Sequence, residues 1–259
     1  MQCWHMSGAG NDFMVIDARD LSLDFEKMAL ELCEKFGCDG FLAVDHSEIA
    51  DFKLHFYNPD GTRGEMCGNG ARCICRFAYD NGIAPENMTI ETDAGLVPGV
   101  RITEDRYLVQ LNNPSVLLLD YKDGVSYVEE GDPGIPHGVK EIPNLTWDMR
   151  EELLELALKL RNDTSFPKGI NVNFYRVLDD TTVRILTYER GVEDYTLACG
   201  TGSAAVALVL WAEGKLPGGI LTVENPGGTL LITVEAKDGK VDKLFLDGPA
   251  EVLKVCDVS

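Results

Sequence analysis

Two copies of a cysteine followed by Gly-x-Gly constrain this chain more than any other feature. They are Glu65-Met66-Cys67-Gly68-Asn69-Gly70-Ala71 and Leu197-Ala198-Cys199-Gly200-Thr201-Gly202-Ser203. The cysteines are 199 − 67 = 132 residues apart in a chain of 259, about half its length. The same offset pairs Asp93-Ala94-Gly95 with Asn225-Pro226-Gly227. Each copy follows a polar loop (57–64 and 188–194) and precedes a strand-like segment (88–92 and 220–224). A duplication of this length predicts two similar lobes, because solenoid repeats run only about 20–50 residues.

After each Cys-Gly-x-Gly comes a helical stretch free of Pro and Gly, 71–79 and 203–213. The second is apolar nearly all round, which marks a helix buried on every side. The segments flanking it, 183–188, 220–224 and 230–235, are β-like, so a helix sheathed by strands is the simplest arrangement. Residues 24–36 form an amphipathic helix with Phe25, Met28, Ala29, Leu32 and Phe36 on one face and Gly37 as its stop. Residues 150–161 make a second such helix, and the Gly-Pro-rich segment 131–136 reads as a turn.

Composition narrows the partners. With 23 Lys+Arg against 43 Asp+Glu the net charge is −20, which repels phosphate backbones and anionic lipid. Nucleic-acid and membrane-surface roles are therefore excluded, although a local cluster of donors still suits a small anion. No stretch approaches the roughly 18–20 apolar residues of a membrane span. The N-terminus lacks the basic and apolar regions of a signal peptide. Eight cysteines without a CxxC pair read as reduced thiols in a cytoplasmic chain, with no zinc ribbon and no metal site.

A cysteine at the first turn of a helix meets unpaired N–H groups and the positive end of the dipole. This lowers a thiol pKa, while the glycines let a ligand approach backbone N–H groups that hold a carboxylate. Two such thiols, one per lobe, suit inversion of a carbon: one removes a proton and the other returns one on the opposite face. Two readings from other classes stand beside this one. Gly200-x-Gly202-x-x-Ala205, followed by Glu224, matches a dinucleotide fingerprint, and paired thiols also suit a redox protein.

The chain resembles the diaminopimelate epimerases, two-cysteine epimerases that need no cofactor. The likeness runs in order through Gly8-Ala9-Gly10-Asn11-Asp12-Phe13, Tyr57-Asn58-Pro59-Asp60-Gly61, Met66-Cys67-Gly68-Asn69-Gly70-Ala71-Arg72-Cys73 and Pro136-His137. It continues through Phe166-Pro167, Asn171-Val172-Asn173-Phe174, Tyr188-Glu189-Arg190-Gly191, Ala198-Cys199-Gly200-Thr201-Gly202 and Pro226-Gly227-Gly228. The resemblance implies an α+β fold of two pseudo-symmetric lobes, each a mainly antiparallel sheet around a central helix, with the active site in the cleft between them. The lobes are expected at 1–112 with the C-terminal strand 251–259, and at 113–250. Cys67 and Cys199 would be the acid/base pair. Gly68, Asn69, Gly200 and Thr201 would hold the reacting carboxylate through backbone N–H groups, with Asn11 nearby. Asn58, Asn171, Glu189 and Arg190 would grip the distal end of the substrate, and His137 would support the cysteines. The implied substrate is a small amino acid, diaminopimelate, in a homodimer of lysine and peptidoglycan synthesis.

Departures bear on the substrate. Ser7 stands where His is usual, Ile135 where many members carry Asn, Ile170 where Thr is frequent, and Tyr195 where an acid is common. Ile135 and Ile170 thin the polar grip on the distal end, which leaves racemases of histidine or proline, or a lanthionine epimerase, as alternatives. Cys73 and Cys75, and Phe52, Phe56 and Tyr57, are expected to be packing residues.

Overall fold

The structure, a computed structural model, describes residues 1–64 and 67–258; Glu65 and Met66 of the first repeat, and Ser259, lie outside the described residues. The backbone divides into two compact units: unit 1 is Met1–Gln110 with Asp247–Ser259, and unit 2 is Leu111–Leu246.

Unit 1 opens with antiparallel strands β1 (Gln2–Gly8) and β2 (Asn11–Asp17). Helix α1 (Phe25–Phe36) leads to β3 (Gly40–Asp45), which is parallel to β2 with Phe13 opposite Gly40. Strand β4 (Phe52–Tyr57) returns antiparallel to β3, and the two-residue β5 (Arg63–Gly64) folds back on it. Helix α2 (Gly68–Asp80) then crosses to β6 (Asn87–Thr92), parallel to β4. Strands β7 (Gly95–Arg101) and β8 (Arg106–Leu111) follow as antiparallel neighbours.

Unit 2 repeats this order. Strand β9 (Pro114–Lys122) pairs with β10 (Val125–Gly131), which pairs with β11 (Gly134–Glu141). Helix α3 (Arg150–Arg161) leads to β12 (Asn171–Asp179), parallel to β11 with His137 opposite Asn171. Strand β13 (Thr182–Glu189) is antiparallel to β12 and carries the short β14 (Asp194–Tyr195). Helix α4 (Gly200–Ala212) crosses to β15 (Ile220–Asn225), parallel to β13, before β16 (Gly228–Lys237) and β17 (Lys240–Pro249). The last strand, β18 (Glu251–Asp257), pairs with β1 as β9 pairs with β10, so unit 1 draws its matching strand from the far end of the chain.

Strand periodicity sorts each sheet into two faces. In unit 1, Met14, Ile16, Phe41 and Ala43 share a core with Ala29, Leu32 and Cys33 of α1. The alternate residues Phe13 and Leu42 turn to the other face, against Gly70 of α2. In unit 2, Val125, Tyr127, Val172 and Phe174 pack with Leu153, Ala157 and Leu160 of α3, and the opposite face receives α4. Helix α4 is fully buried from Ser203 to Leu208, as its unbroken apolar surface requires. Asp24 caps α1 by accepting from the Lys27 N–H at 3.1 Å, and Gly37 ends it in the left-handed region at φ 64°.

The α+β expectation holds, with two local corrections. Helices α2 and α4 begin at Gly68 and Gly200, three residues before the expected starts, because the cysteines are the N-caps and the glycines form the first turn. Within 131–136, the turn is limited to Asp132-Pro133; Gly131 already pairs with Gly134, and the flanking residues are strand.

Candidate catalytic site

In unit 1, Cys67 caps α2 in an extended conformation (φ −130°, ψ 122°), which puts its half-buried thiol at the helix start. Gly68 and Asn69 supply first-turn N–H groups, which an α-helix cannot satisfy internally. The Cys67 thiol donates to Asn11 Oδ1 at 3.7 Å, and Asn69 Nδ2 donates to the same oxygen at 3.4 Å. Asn11 Nδ2 in turn donates to Asp39 Oδ2 at 2.7 Å, and the Asp12 N–H reaches that oxygen at 2.8 Å. Arg72, 0% exposed, donates to Asn69 Oδ1 at 3.0 Å, to the Gly68 carbonyl at 3.2 Å and to the Pro249 carbonyl at 3.2 Å. Burial lowers the proton affinity of its guanidinium, opposed by the neighbouring Cys73, Cys67 and Asp247. Gly8 is glycine for a steric reason, since a Cβ there would lie 2.8 Å from the Asn69 carbonyl oxygen. Asn58 sits in the turn after β4, where its Nδ2 donates to Thr62 Oγ1 at 3.0 Å.

In unit 2, Cys199 caps α4 in the same manner (φ −118°, ψ 111°) and is 7% exposed. Its Sγ accepts from the Gly202 N–H at 3.3 Å and lies 3.6 Å from Thr201 Oγ1. Burial pushes this thiol up, Glu189 and Glu130 add to the rise, and the bonds from Thr201 and Gly202 oppose it. Around Cys199, loss of water and the two carboxylates therefore work against the Gly202 N–H of the helix start.

Behind the first turn of α4 lies a buried polar pair. Asn173 Nδ2 lies 3.2 Å from His137 Nδ1, 3.1 Å from the Gly138 carbonyl and 3.2 Å from the Asn171 carbonyl, while its Oδ1 accepts from Thr187 Oγ1 at 3.0 Å. The two carbonyls, Gly138 and Asn171, fix the amide nitrogen as donor, and it lies against His137 Nδ1. His137 Nε2 has no hydrogen-bond partner among the described residues. Burial lowers the His137 pKa to about 3, which keeps the ring neutral. Gly202 must be glycine, because a Cβ would run into Asn173 Oδ1. Asn171 braces two strands: its Oδ1 accepts from the Arg190 N–H at 2.8 Å, and its Nδ2 donates to the Pro136 carbonyl at 3.3 Å. Arg190 is exposed, and its Nη1 donates to the Lys168 carbonyl at 2.8 Å; the half-buried Glu189 precedes it at the end of β13.

Each unit thus gathers its own share of the expected residues: Asn11, Gly68 and Asn69 around Cys67, and Thr201 and His137 around the start of α4. Sequence reasoning missed Asp39, Arg72, Asn173 and Glu130. Glu130 is 2% exposed, and neither carboxyl oxygen has a hydrogen-bond partner among the described residues. Burial pushes its carboxyl well above the usual range. A Glu beside a strand-ending Gly reads in sequence as a solvated turn acid, so the missing signal is burial itself. The packing expectations hold for Cys73 and Cys75, both fully buried, with Cys73 pushed up to about 12. Tyr195 is also a packing residue, set edge-on to Tyr188 with ring centroids 5.4 Å apart, and Ile170 belongs to the core of unit 2. The dinucleotide reading fails on geometry: Gly202 makes room for Asn173 rather than for a pyrophosphate, and Glu224 is tied to Arg184 at 2.8 Å. No helix is long and apolar enough to cross a membrane, and no cluster of three His, Cys, Asp or Glu is placed to hold a metal, among the described residues.

Comparison with known proteins completes the picture. The family model described as diaminopimelate epimerase matches residues 3–116 and 132–253. The diaminopimelate epimerase of Chlorobaculum tepidum is 36% identical over 259 residues, covering 96% of this chain and 97% of that protein. That of Aquifex aeolicus is 34% identical over 273 residues, covering 95% and 96%. Among solved structures, a hydroxyproline epimerase from Agrobacterium vitis shares the fold, with a TM-score of 0.75 at 17% identity over 100% of this chain and 90% of the other. A phenazine-biosynthesis protein of the PhzF family from Bacillus anthracis shares it too, with a TM-score of 0.76 at 17% identity over 100% and 99%. Full-length identity above a third, with both Cys-Gly-x-Gly helix starts inside the matched residues, leads to one assignment: the chain belongs to the diaminopimelate epimerase family, and is an isomerase.

Proposed function

We propose that this isomerase interconverts LL- and meso-diaminopimelate by proton transfer between two cysteines and the α-carbon. The observation that carries the reading is the matched pair of thiols, each the N-cap of a 13-residue helix with glycine in its first turn. The thiolate of one cysteine removes the α-proton from one face, and the thiol of the other delivers a proton to the opposite face. After turnover the two have exchanged protonation states, so the chemistry is redox-neutral and calls for no cofactor. The carbanion formed is planar and delocalised into the carboxylate. First-turn N–H groups of Gly68, Asn69, Gly200 and Thr201 are the donors suited to that charge. Arg190 offers a bidentate contact to the distal carboxylate, Glu189 an ion pair to an ammonium, and Asn58 its amide. His137, neutral and buried, acts through Asn173 on the first turn of α4 rather than as a base. A cytoplasmic, homodimeric enzyme of lysine synthesis fits this role; light scattering on the purified chain reads the assembly.

The test is proton NMR in D2O with reduced protein and, separately, LL-diaminopimelate, lanthionine, L-histidine and L-proline. Loss of the α-proton signal from diaminopimelate, far faster than from the others, is expected. Exchange confined to another amino acid would keep the chemistry and reject the substrate.

A further inference from the structure

The amide of Asn11 can face Cys67 with either its oxygen or its NH2, and the two orientations act oppositely on a thiol. An amide oxygen accepts from S–H and favours the protonated form; an amide N–H donates to sulfur and favours the thiolate. Both ends of the network are tied to charges that remove the ambiguity. Asp39 Oδ2 accepts from Asn11 Nδ2 at 2.7 Å, so the NH2 end is spent on a carboxylate. At the other end Arg72 donates to Asn69 Oδ1 at 3.0 Å, which turns Asn69 Nδ2 toward Asn11 Oδ1 at 3.4 Å. The remaining place on that oxygen faces the Cys67 sulfur at 3.7 Å.

The frame holding Asp39 is local and stiff. Gly37 ends α1, Cys38 is buried in the unit core, and the Asp39 N–H donates to the Asp12 carbonyl at 2.8 Å. Gly40 then enters β3 beside Phe13 of β2. Among the described residues of unit 1, the charged and titratable groups around the network include His5 and Asp12 (3.3 Å apart) on β1 and β2, Asp39 before β3, Arg72 and Cys73 on α2, and Asp247, which acts on Arg72. Unit 2 has no counterpart. The parallel pairs Phe13–Gly40 and His137–Asn171 occupy matching places, so Asn11 corresponds to Ile135 and Asp39 to Ile170. Cys199 accepts from the Gly202 N–H instead, with the Thr201 hydroxyl 3.6 Å away.

We propose that Asp39 is a positioning residue that locks the Asn11 amide with its oxygen toward Cys67, so that the Cys67 thiol holds its proton more firmly than the helix start alone would allow. The inference rests on the acid/base role given to Cys67 above. Its consequence is that the two thiols face unlike partners: an amide oxygen at Cys67 and the Gly202 N–H at Cys199.

The test is the pH dependence of iodoacetamide alkylation, followed by peptide mass spectrometry at Cys67, with Cys199 as internal control. In Asp39→Ala, Asn11 is free to flip, and the Cys67 midpoint should fall by about one pH unit while Cys199 is unmoved. In Asp39→Asn, the side-chain oxygen still accepts from Asn11 Nδ2, and the Cys67 midpoint should stay near the wild-type value. Asp39→Asn also removes the negative charge, so it separates orientation from simple electrostatics. Equal shifts in the two variants, or a shift in neither, would overturn the proposal. Should Asp39→Ala lose the wild-type circular dichroism, Asn11→Ala removes the same acceptor and must lower the midpoint; an unchanged midpoint overturns it. Full interconversion of LL- and meso-diaminopimelate by Cys67→Ala would instead sink the acid/base role itself, independently of the alkylation result.

Discussion

The two units share a backbone plan and place their polarity in opposite layers. Next to the Cys67 thiol, unit 1 sets a polar pair, Asn11 and Asp39, and behind the helix start an apolar pair, Phe13 and Leu42. At the corresponding positions unit 2 carries the apolar Ile135, which is exposed, and Ile170, which is buried in its core, while His137 and Asn173 take the places of Phe13 and Leu42. A similar exchange appears one position along, where Gly8 of β1 corresponds to Glu130 of β10. Duplication preserved the helix-start geometry that a thiol acid/base requires, while the surroundings diverged until the two sulfurs see different partners. An enzyme that works in both directions needs two competent thiols, but nothing requires them to be tuned alike.

The inverted layers make the two helix glycines unequal. In Gly202→Ala the new methyl meets Asn173, which is anchored by His137, Gly138, Asn171 and Thr187. We expect a loss of about 2–4 kcal/mol from strain and broken hydrogen bonds, read by chemical denaturation. In Gly70→Ala the methyl makes ordinary contact with Leu42 at 3.4 Å and gains helix propensity, so stability should change by less than about 1 kcal/mol. Equal losses would mean that the polar layer does not control the packing of α4.

Two buried groups of unit 2 should tilt stability in opposite directions along the pH axis. His137 takes up its proton near pH 3 when folded and near 6.5 when unfolded, so the unfolded chain binds more protons between these values. Stability is therefore lost as pH falls through that window, and His137→Asn should flatten the acid limb. Glu130 is raised when folded, so the unfolded chain binds fewer protons above 4.5, and stability is lost as pH rises. Glu130→Gln should raise Tm by a few degrees, about 1 kcal/mol, near pH 8 and by much less near pH 5. A gain independent of pH would show that Glu130 is already ionised in the fold.

The smallest difference lies in the outer helices. Helix α1 has the Asp24 side-chain cap, whereas Met149 offers none to α3. Asp24→Ala should cost about 1 kcal/mol and Met149→Ala much less, by thermal melting. A larger effect at Met149 would point to packing rather than capping.

Much of this organisation was legible in the chain. The paired Cys-Gly-x-Gly segments marked both central helices, and the all-round apolar face of residues 203–213 marked a buried one. The helix starts were read late because glycines look like loop until the cysteines are known to be caps. Asp39 and Asn173 stayed hidden for a different reason: each acts across a parallel strand pair, on a residue 28 or 36 positions away. Such contacts depend on register, which turn chemistry does not specify for parallel strands. Arg72 was hidden by its own charge, since a buried arginine with three acceptors cannot be told from a solvated one by helical spacing.

The central claim is that Cys67 and Cys199 are both indispensable to inversion at the α-carbon. The direct measurement is the interconversion of LL- and meso-diaminopimelate by Cys67→Ala and Cys199→Ala, each checked for wild-type folding. Loss of turnover by about a thousandfold or more in both single variants is the predicted result, because each step needs one sulfur to give and the other to take. Wild-type interconversion by either variant would contradict the account.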